Sequence, residues 1–586
     1  MTKHLFTLIV AICIFSSCSD KKSSENPNAD FNKMLDTYYE DQLVLSPISA
    51  TFNGDNRYND QLTIDFTDGQ RAKFADFLNK YEEKLKSFNR DELNDNDQIS
   101  FDILKRELDL GKEGLQFKDN LMPLNQFYGF HLTFAQLGSG SVMQPFANVK
   151  DYQNWEARLH KGAAYLDSAQ VYFKRGIQEN VVLPKALVVK VISQLKAFDV
   201  KDLKESTFYG PLKQFPKEFS SADKEKFTKE YTNILTTEVL PSYKRLATFL
   251  ETEYLPKARS TSGIGSIPNG KAYYQYLIKV LTTTDQPAEK IYETGLAEVK
   301  RIRSEMENTK NAVGFKGDLK AFFDFLKNDP QFMPYKTPKD VLAAFHNIHE
   351  RMKPQLSKMF GKTPKTPFEI RQTEAFRAAS ASAEYFQGNL ESNRPGIFYV
   401  PILDATKFTT TSGMESLFLH EAIPGHHYQI ALQQENKDLP KFRRFGGNSA
   451  YAEGWALYTE SLGKELGLYK DPYQYMGALG DEIHRAIRLV VDAGMHSKNM
   501  TREQAIKFMM DNEQISEEGA TAEIERYMAI PAQALSYKIG ALKIREIRNK
   551  LAQEKGKEFN ISKFHDEVLE DGNLPLDVLE RKMLKK

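Results

Sequence analysis

Residues 418–429 read FLHEAIPGHHYQ and place three of the chain's 11 histidines, with a glutamate beside the first, within eight positions. Imidazole nitrogens and carboxylate oxygens are the protein donors that hold zinc, so this clustering points to a metal centre. In the His-Glu-x-x-His arrangement, two histidines one helical turn apart grip a single ion and the glutamate is the general base. Here proline stands at 424, where the second histidine would fall, and histidines follow at 426 and 427. On an unbroken helix His426 would lie on the wrong face relative to His420, and His427 would lie two turns, about 10 Å, along the axis. Pro424 has no N–H to offer the His420 carbonyl, and its ring crowds the preceding turn. Gly425 tolerates backbone angles that other residues avoid. Together they can loop residues out of the helix. Looping out two restores the pattern with His426 as second ligand; looping out three selects His427. Glu421 then stands ready to take a proton from a metal-activated water. His346 and His349 share a helix face in HNIHE (346–350), but they lack a bulge and a third ligand and read as structural.

Three stretches taken together, HEAIPGHHYQ (420–429), EGWALYTE (453–460) and ERYMAIPAQALSYKIG (525–540), resemble the bacterial proteins grouped as domain-of-unknown-function family 885. The resemblance spans most of the mature chain. That family is distantly similar to the helical zinc metallopeptidases, among them thimet oligopeptidase, angiotensin-converting enzyme and the thermostable carboxypeptidases. In those a glycine directly precedes the second zinc histidine, which implies His426 as ligand, with His427 the alternative. The similarity implies Glu453, 27 residues after His426, as third ligand. Glu460, on the same helix face, is its rival and reads as a supporting or surface residue. Carried over residue by residue, Tyr527 becomes the donor to the oxyanion and Tyr537 a second pocket residue. In RLVVDAGMHSK (488–498), His496 would touch substrate and Arg488 would hold a substrate carboxylate.

The activity implied is zinc-dependent hydrolysis of amide bonds in short peptides, with one Zn2+ per chain. Two imidazoles and one carboxylate leave a coordination position open for water, the mark of a catalytic rather than a structural site. The same residues would serve an amidase acting on non-peptide or modified-peptide amides. A lipid-anchored peptide-binding protein without catalysis is the alternative from another class, and the intact Glu421 argues against it.

The elements that must position these residues read as helices. KFADFLNKYEEKLKSF (73–88) and AEKIYETGLAEVKRIRSEME (288–307) carry apolar residues at helical spacing. Thr337-Pro338 is a helix start signal. Residues 222–256 read as one long helix broken by GIGSIPNG (263–270), and 121–146 as a loop-rich, aromatic stretch that packs on the core or lines a cleft. TPFEIRQ (366–372) and GIFYVPI (396–402) are short, branched and aromatic, and read as extended. The second, just before the histidines, is a candidate edge strand for pairing with an extended peptide. The fold class expected is mainly α: two helical halves, dividing near 260–270, around a deep cleft with a small β-sheet near the active site.

The N-terminus is read apart from the fold. Lys3 and the 11-residue apolar stretch LFTLIVAICIF make a signal peptide over 1–17, too short to span a bilayer. SSCSD resembles a bacterial lipoprotein signal, which implies lipid on Cys18 and a cell-envelope location outside the cytoplasm. Residues 18–30 read as a flexible tether and 31–586 as the helical domain. Cys13 lies within the signal, so the mature chain has no pair for a disulfide. Lys plus Arg equals Asp plus Glu at 79 each, without the basic excess of a nucleic-acid binder. The expected partners are short peptides and, through the lipid, a membrane.

Overall fold

The computed structural model describes residues 27–140, 143–374, 382–388, 390 and 394–584. The signal peptide and Cys18 lie outside them. The fold is mainly α. Its longer helices are α1 (Pro27–Leu45), α2 (Asp68–Lys86), α3 (Asp95–Gly114), α4 (Val149–Glu179), α5 (Gly270–Thr282), α6 (Ala288–Ala312) and α7 (Pro338–Met359). Three strands follow, β1 (Phe368–Gln372), β2 (Glu384–Phe386) and β3 (Gly396–Val400). The C-terminal part holds α8 (Met414–Glu421), α9 (His426–Glu435), α10 (Ser449–Glu460), α11 (Pro472–Lys498), α12 (Glu517–Ala529) and α13 (Leu535–Lys555).

The ends of these helices follow local chemistry. α7 begins with a capping box in which the Thr337 hydroxyl accepts from Asp340 N, and Asp340 Oδ2 accepts from Thr337 N at 2.8 Å. The long helix expected over 222–256 runs as α-helix over Ser221–Ile234 and Leu240–Phe249, with π-helical turns at Leu235–Val239 and Leu250–Tyr254. Each π turn lies just before a proline, Pro241 or Pro256, whose missing N–H and bulky ring disturb the α-ladder. α1 starts at Pro27, inside the stretch read as tether. The aromatic stretch 121–146 contains the helix Phe130–Gly138, with Phe134 in the core, where a loop was expected.

The sheet corrects one expectation. Its strand order is β1-β3-β2, with β3 parallel to β1 and antiparallel to β2. The segment 396–400 is therefore the central strand, hydrogen-bonded on both sides, and it has no free edge to offer a peptide. Its alternating burial, with Phe398 and Val400 inside, fits that place.

Three apolar clusters form the interior. One joins residues 31–108 of the N-terminal part to residues 341–583 and includes Trp455 and Phe418. The second fills the N-terminal part around Trp155, and the third lies between α6, α11 and α12. The cores thus do not follow the division of the chain near 260–270. α10 and α13 cross in direct backbone contact: a Cβ on Gly454 would stand 2.5 Å from Gly540 Cα. Two glycines facing each other let the axes approach closely enough to fix α10, the helix that carries Glu453.

Candidate metal centre

α8 ends immediately after His420-Glu421 because the chain cannot continue as helix into Pro424. Ala422 N still reaches Phe418 O at 3.0 Å, but Ala422 itself has φ −107° and ψ −102°. The Ile423–Pro424 peptide is cis. Gly425 folds back on α8, and a side chain there would collide with the carbonyl oxygens of Leu419 and His420. Glycine serves this close approach of backbone to backbone. Two contacts from α10 pin the turn: Trp455 Nε1 donates to Pro424 O at 2.9 Å, and Thr459 Oγ1 donates to Leu419 O at 2.8 Å.

This turn restarts the helix at His426 and brings its imidazole back to His420. The two ring centroids lie 4.8 Å apart, nearly perpendicular. His420 Nε2 is 3.6 Å and His426 Nε2 3.5 Å from Glu453 Oε2. The ligand atoms of His420, His426 and Glu453 all lie within 4.8 Å of one another, the one such group among the described residues. Donors about 2.1 Å from one tetrahedral ion stand about 3.4 Å apart, so the spacing suits zinc. His427 points elsewhere. Its Nδ1 is 3.0 Å from Tyr385 Oη, its ring packs on Phe368, and it is buried against the sheet.

Behind His420, Glu460 Oε1 lies 2.7 Å from Nδ1. That fixes the ring and leaves Nε2 to face Glu453, as a carboxylate does for a metal-bound histidine. Arg485 stands 3.7 Å from Glu460 and 3.4 Å from Asp481, whose other oxygen accepts from Ser416 at 2.5 Å. Burial opposes charge on His420, but bonding toward Glu453 and Glu460 outweighs it and lifts the imidazole to about 10. Burial likewise opposes charge on Glu453, yet the two histidines hold its carboxyl far below the usual range. Burial raises Glu421, with both histidines pulling the other way. Three carboxylates around two imidazoles make a field that favours a cation at their centre.

The remaining expected residues gather one helix away. Tyr527 is fully buried; its hydroxyl donates to Glu523 at 2.5 Å and accepts from Arg488 Nε at 2.9 Å. Arg488 also reaches Glu523 at 3.2 Å and lies 4.6 Å over the Tyr537 ring. Its guanidinium is thus already paired with a carboxylate of the protein. His496 is corrected outright: Nδ1 accepts from Ile264 N at 2.9 Å, Nε2 donates to Tyr527 O at 3.0 Å, and the ring is 1% exposed. With both nitrogens spent on backbone it ties a loop to α12 and has none left for substrate. Tyr537 is half-buried, and its hydroxyl makes no hydrogen bond to another described residue. It lies within electrostatic reach of Arg485 and Tyr128, and Tyr128 in turn of Glu453. His346 is exposed and His349 packs near Phe418.

Tyr128 belongs to the aromatic stretch 121–146 that the sequence marks as packing on the core or lining a cleft, without singling out this residue. Asn125 Nδ2 donates to Ala529 O at 3.3 Å and Gln126 Nε2 to Glu525 O at 2.9 Å, so the N-terminal part is stitched onto α12. Arg526 lies 5.0 Å over Phe127.

The family profile described as "Bacterial protein of unknown function (DUF885)" matches residues 47–583. The chain belongs to the DUF885 family. No curated protein matches it. Solved structures do match, two of them as follows. One is described as a putative lipoprotein from Colwellia psychrerythraea; it is 26% identical, covers 95% of this chain and 99% of its own, and superposes with a TM-score of 0.85. The other, described as a putative lipoprotein of unknown function from Shewanella oneidensis, is 22% identical over 94% and 99% with a TM-score of 0.76, and speaks for the fold alone. No described helix is long and apolar enough to cross a membrane.

Proposed function

We propose that this DUF885 protein is a metal-dependent hydrolase of amide bonds in short peptides, with His420, His426 and Glu453 holding one Zn2+. The observation that carries the reading is the convergence of two imidazoles and one carboxylate on a common point, with a fourth residue, Glu421, beside it. Bound there, zinc would acidify a water and polarise a carbonyl. Glu421 takes the proton from the attacking water and returns it to the leaving amine; its burial raises its affinity for that proton. Glu460 keeps His420 in the tautomer that presents Nε2. Tyr537, with a hydroxyl free to turn, is better disposed than Tyr527 to donate to the developing oxyanion, because the Tyr527 hydroxyl is held by Glu523 and Arg488. The protein is anchored in the cell envelope by lipid on Cys18, a reading supported by Ser16-Ser17-Cys18 and by the description of the similar structure from Colwellia psychrerythraea.

The test is metal analysis of the purified protein, followed by incubation with a peptide library. The expected result is one zinc per chain and cleavage of short peptides. Glu421→Gln should keep the metal and lose at least about 100-fold in turnover. A fully zinc-loaded protein that leaves every peptide intact sinks the proposal.

A further inference from the structure

A cavity of about 490 Å³ lies between the loop 259–266 and the starts of two helices, Lys185–Lys196 and Arg502–Asn512. None of the residues proposed to hold metal or to act in hydrolysis lines it. The loop is pressed against α11, where a Cβ on Gly263 would stand 1.8 Å from Met495 O. That contact fixes the shape of the wall.

The acceptors of the loop are already taken. Arg259 Nε donates to Val182 O at 3.0 Å, and its Nη1 donates to Thr261 O at 2.5 Å and to Gly263 O at 2.8 Å. Arg259 O accepts from Lys185 N at 2.9 Å. The donors are left over. Arg259 Nη2 has no acceptor among the described residues, and no carboxylate there balances the guanidinium. The Lys185 ammonium, the Ser260 hydroxyl and the Asn499 amide on the same wall are likewise without a partner among the described residues. Ser262 is 8% exposed; it accepts from Arg502 N at 2.8 Å, and its own proton has no acceptor there. The backbone amides of Ala186 and Glu503, in the first turns of helices of 12 and 11 residues, are also unbonded among the described residues.

The carboxylate of Glu503 on this wall is 74% exposed and stands 3.3 Å from Arg502, which Glu525 also holds at 2.8 Å. The spare positive charge is therefore that of Arg259 and Lys185. Donors in excess, a guanidinium without a counter-ion and two helix starts complement a group that spreads negative charge over several oxygens. Met495, Met500 and Met528 supply the apolar part of the wall. A cavity of this size admits an organic body beside the anion.

We propose that this cavity binds a phosphate group, with Arg259 and Lys185 supplying charge, Ser260, Ser262 and Asn499 supplying further donors, and the methionines facing an organic body. Inorganic phosphate and a phosphomonoester share that chemistry.

The experiment is calorimetric titration of the intact protein near neutral pH with sodium phosphate, phenyl phosphate and the uncharged benzyl alcohol, at ionic strength held constant with potassium chloride. The proposal expects heat from the phosphates and none from the alcohol. Phenyl phosphate binding at least tenfold more tightly than phosphate assigns the site to esters; a smaller preference assigns it to the free ion. Arg259→Gln, checked by its melting transition, should lose at least about tenfold toward either, the worth of a charge-assisted hydrogen bond. Should that variant not fold, Lys185→Ala, altered at an exposed side chain, should lose at least about threefold. Crystals of the unaltered protein soaked in tungstate, an electron-dense analogue, should show it beside Arg259. No heat from either phosphate, unchanged affinity in Arg259→Gln or Lys185→Ala, or tungstate at the metal centre and not beside Arg259 each overturns the proposal.

Discussion

At residue scale, adjacent histidines take opposite parts. His426 faces Glu453 across 3.5 Å, while His427 turns to Tyr385 and the sheet. His427→Ala should therefore leave metal affinity unchanged and cost about 1–3 kcal/mol of stability through a lost buried contact; competitive chelation and denaturant unfolding read the two effects separately. Glu460→Gln should do the reverse. It leaves the packing of α10 intact but frees the His420 ring, and metal affinity should fall about 10- to 100-fold in the same chelator assay. The helical spacing of Glu460 from Glu453, one face and two turns, was the readable sign of this partner. Spacing alone could not tell it from a surface residue, because the deciding contact is with a different helix. His496 shows the opposite limit. Its partners, Ile264 N and Tyr527 O, lie far from it in sequence, and no local pattern foretells that both ring nitrogens are taken.

At the scale of elements, the glycine pair where α10 crosses α13 holds the third proposed ligand in place. Gly540→Ala inserts a methyl against the Ala450 carbonyl, with Gly454 on the other side. The helices must separate, at about 1–3 kcal/mol, and Glu453 moves with them. The expected outcome is a lower melting temperature together with weaker metal binding. A variant that melts lower and binds metal as before would uncouple the crossing from the site. Long helices were legible in the sequence because 3.6-residue periodicity and the Pro, Thr and Gly signals at their ends are local. β2 was not, being three residues long and defined by pairing with β3. The central place of β3 was hidden for the same reason: a strand's neighbours are not written in its own residues.

At the scale of the whole molecule, a buried carboxyl group sets a pH dependence. Burial raises Asp492 from 3.8 to about 7, against hydrogen bonds from Tyr274 and Ala532 N. Between roughly pH 4 and 7 the folded protein holds a proton that the unfolded chain has released. This group therefore favours folding most below pH 4, and its contribution is lost as pH rises through 7. Asp492→Asn should flatten the fall in unfolding free energy between about pH 4 and 7, measured by urea titration at each pH. On the acid side the sign reverses. Burial lowers His131 to about 4 and His496 to about 3, so stability that depends on their neutral rings is lost as pH drops below 6.5.

The apolar cluster that joins residues 31–108 to residues 341–583 also constrains the birth of the protein. A ribosome adds about 5–20 residues per second. Phe31, Tyr81 and Leu104, which have 0% exposure in the finished fold, are made long before the partners that cover them. For the intervening stretch of about 230 residues, ten seconds to most of a minute at that rate, this greasy surface is without its native cover. A holdase that shelters the newly made N-terminal segment should raise the yield of folded protein, and severing the chain near residue 260 should leave two insoluble pieces.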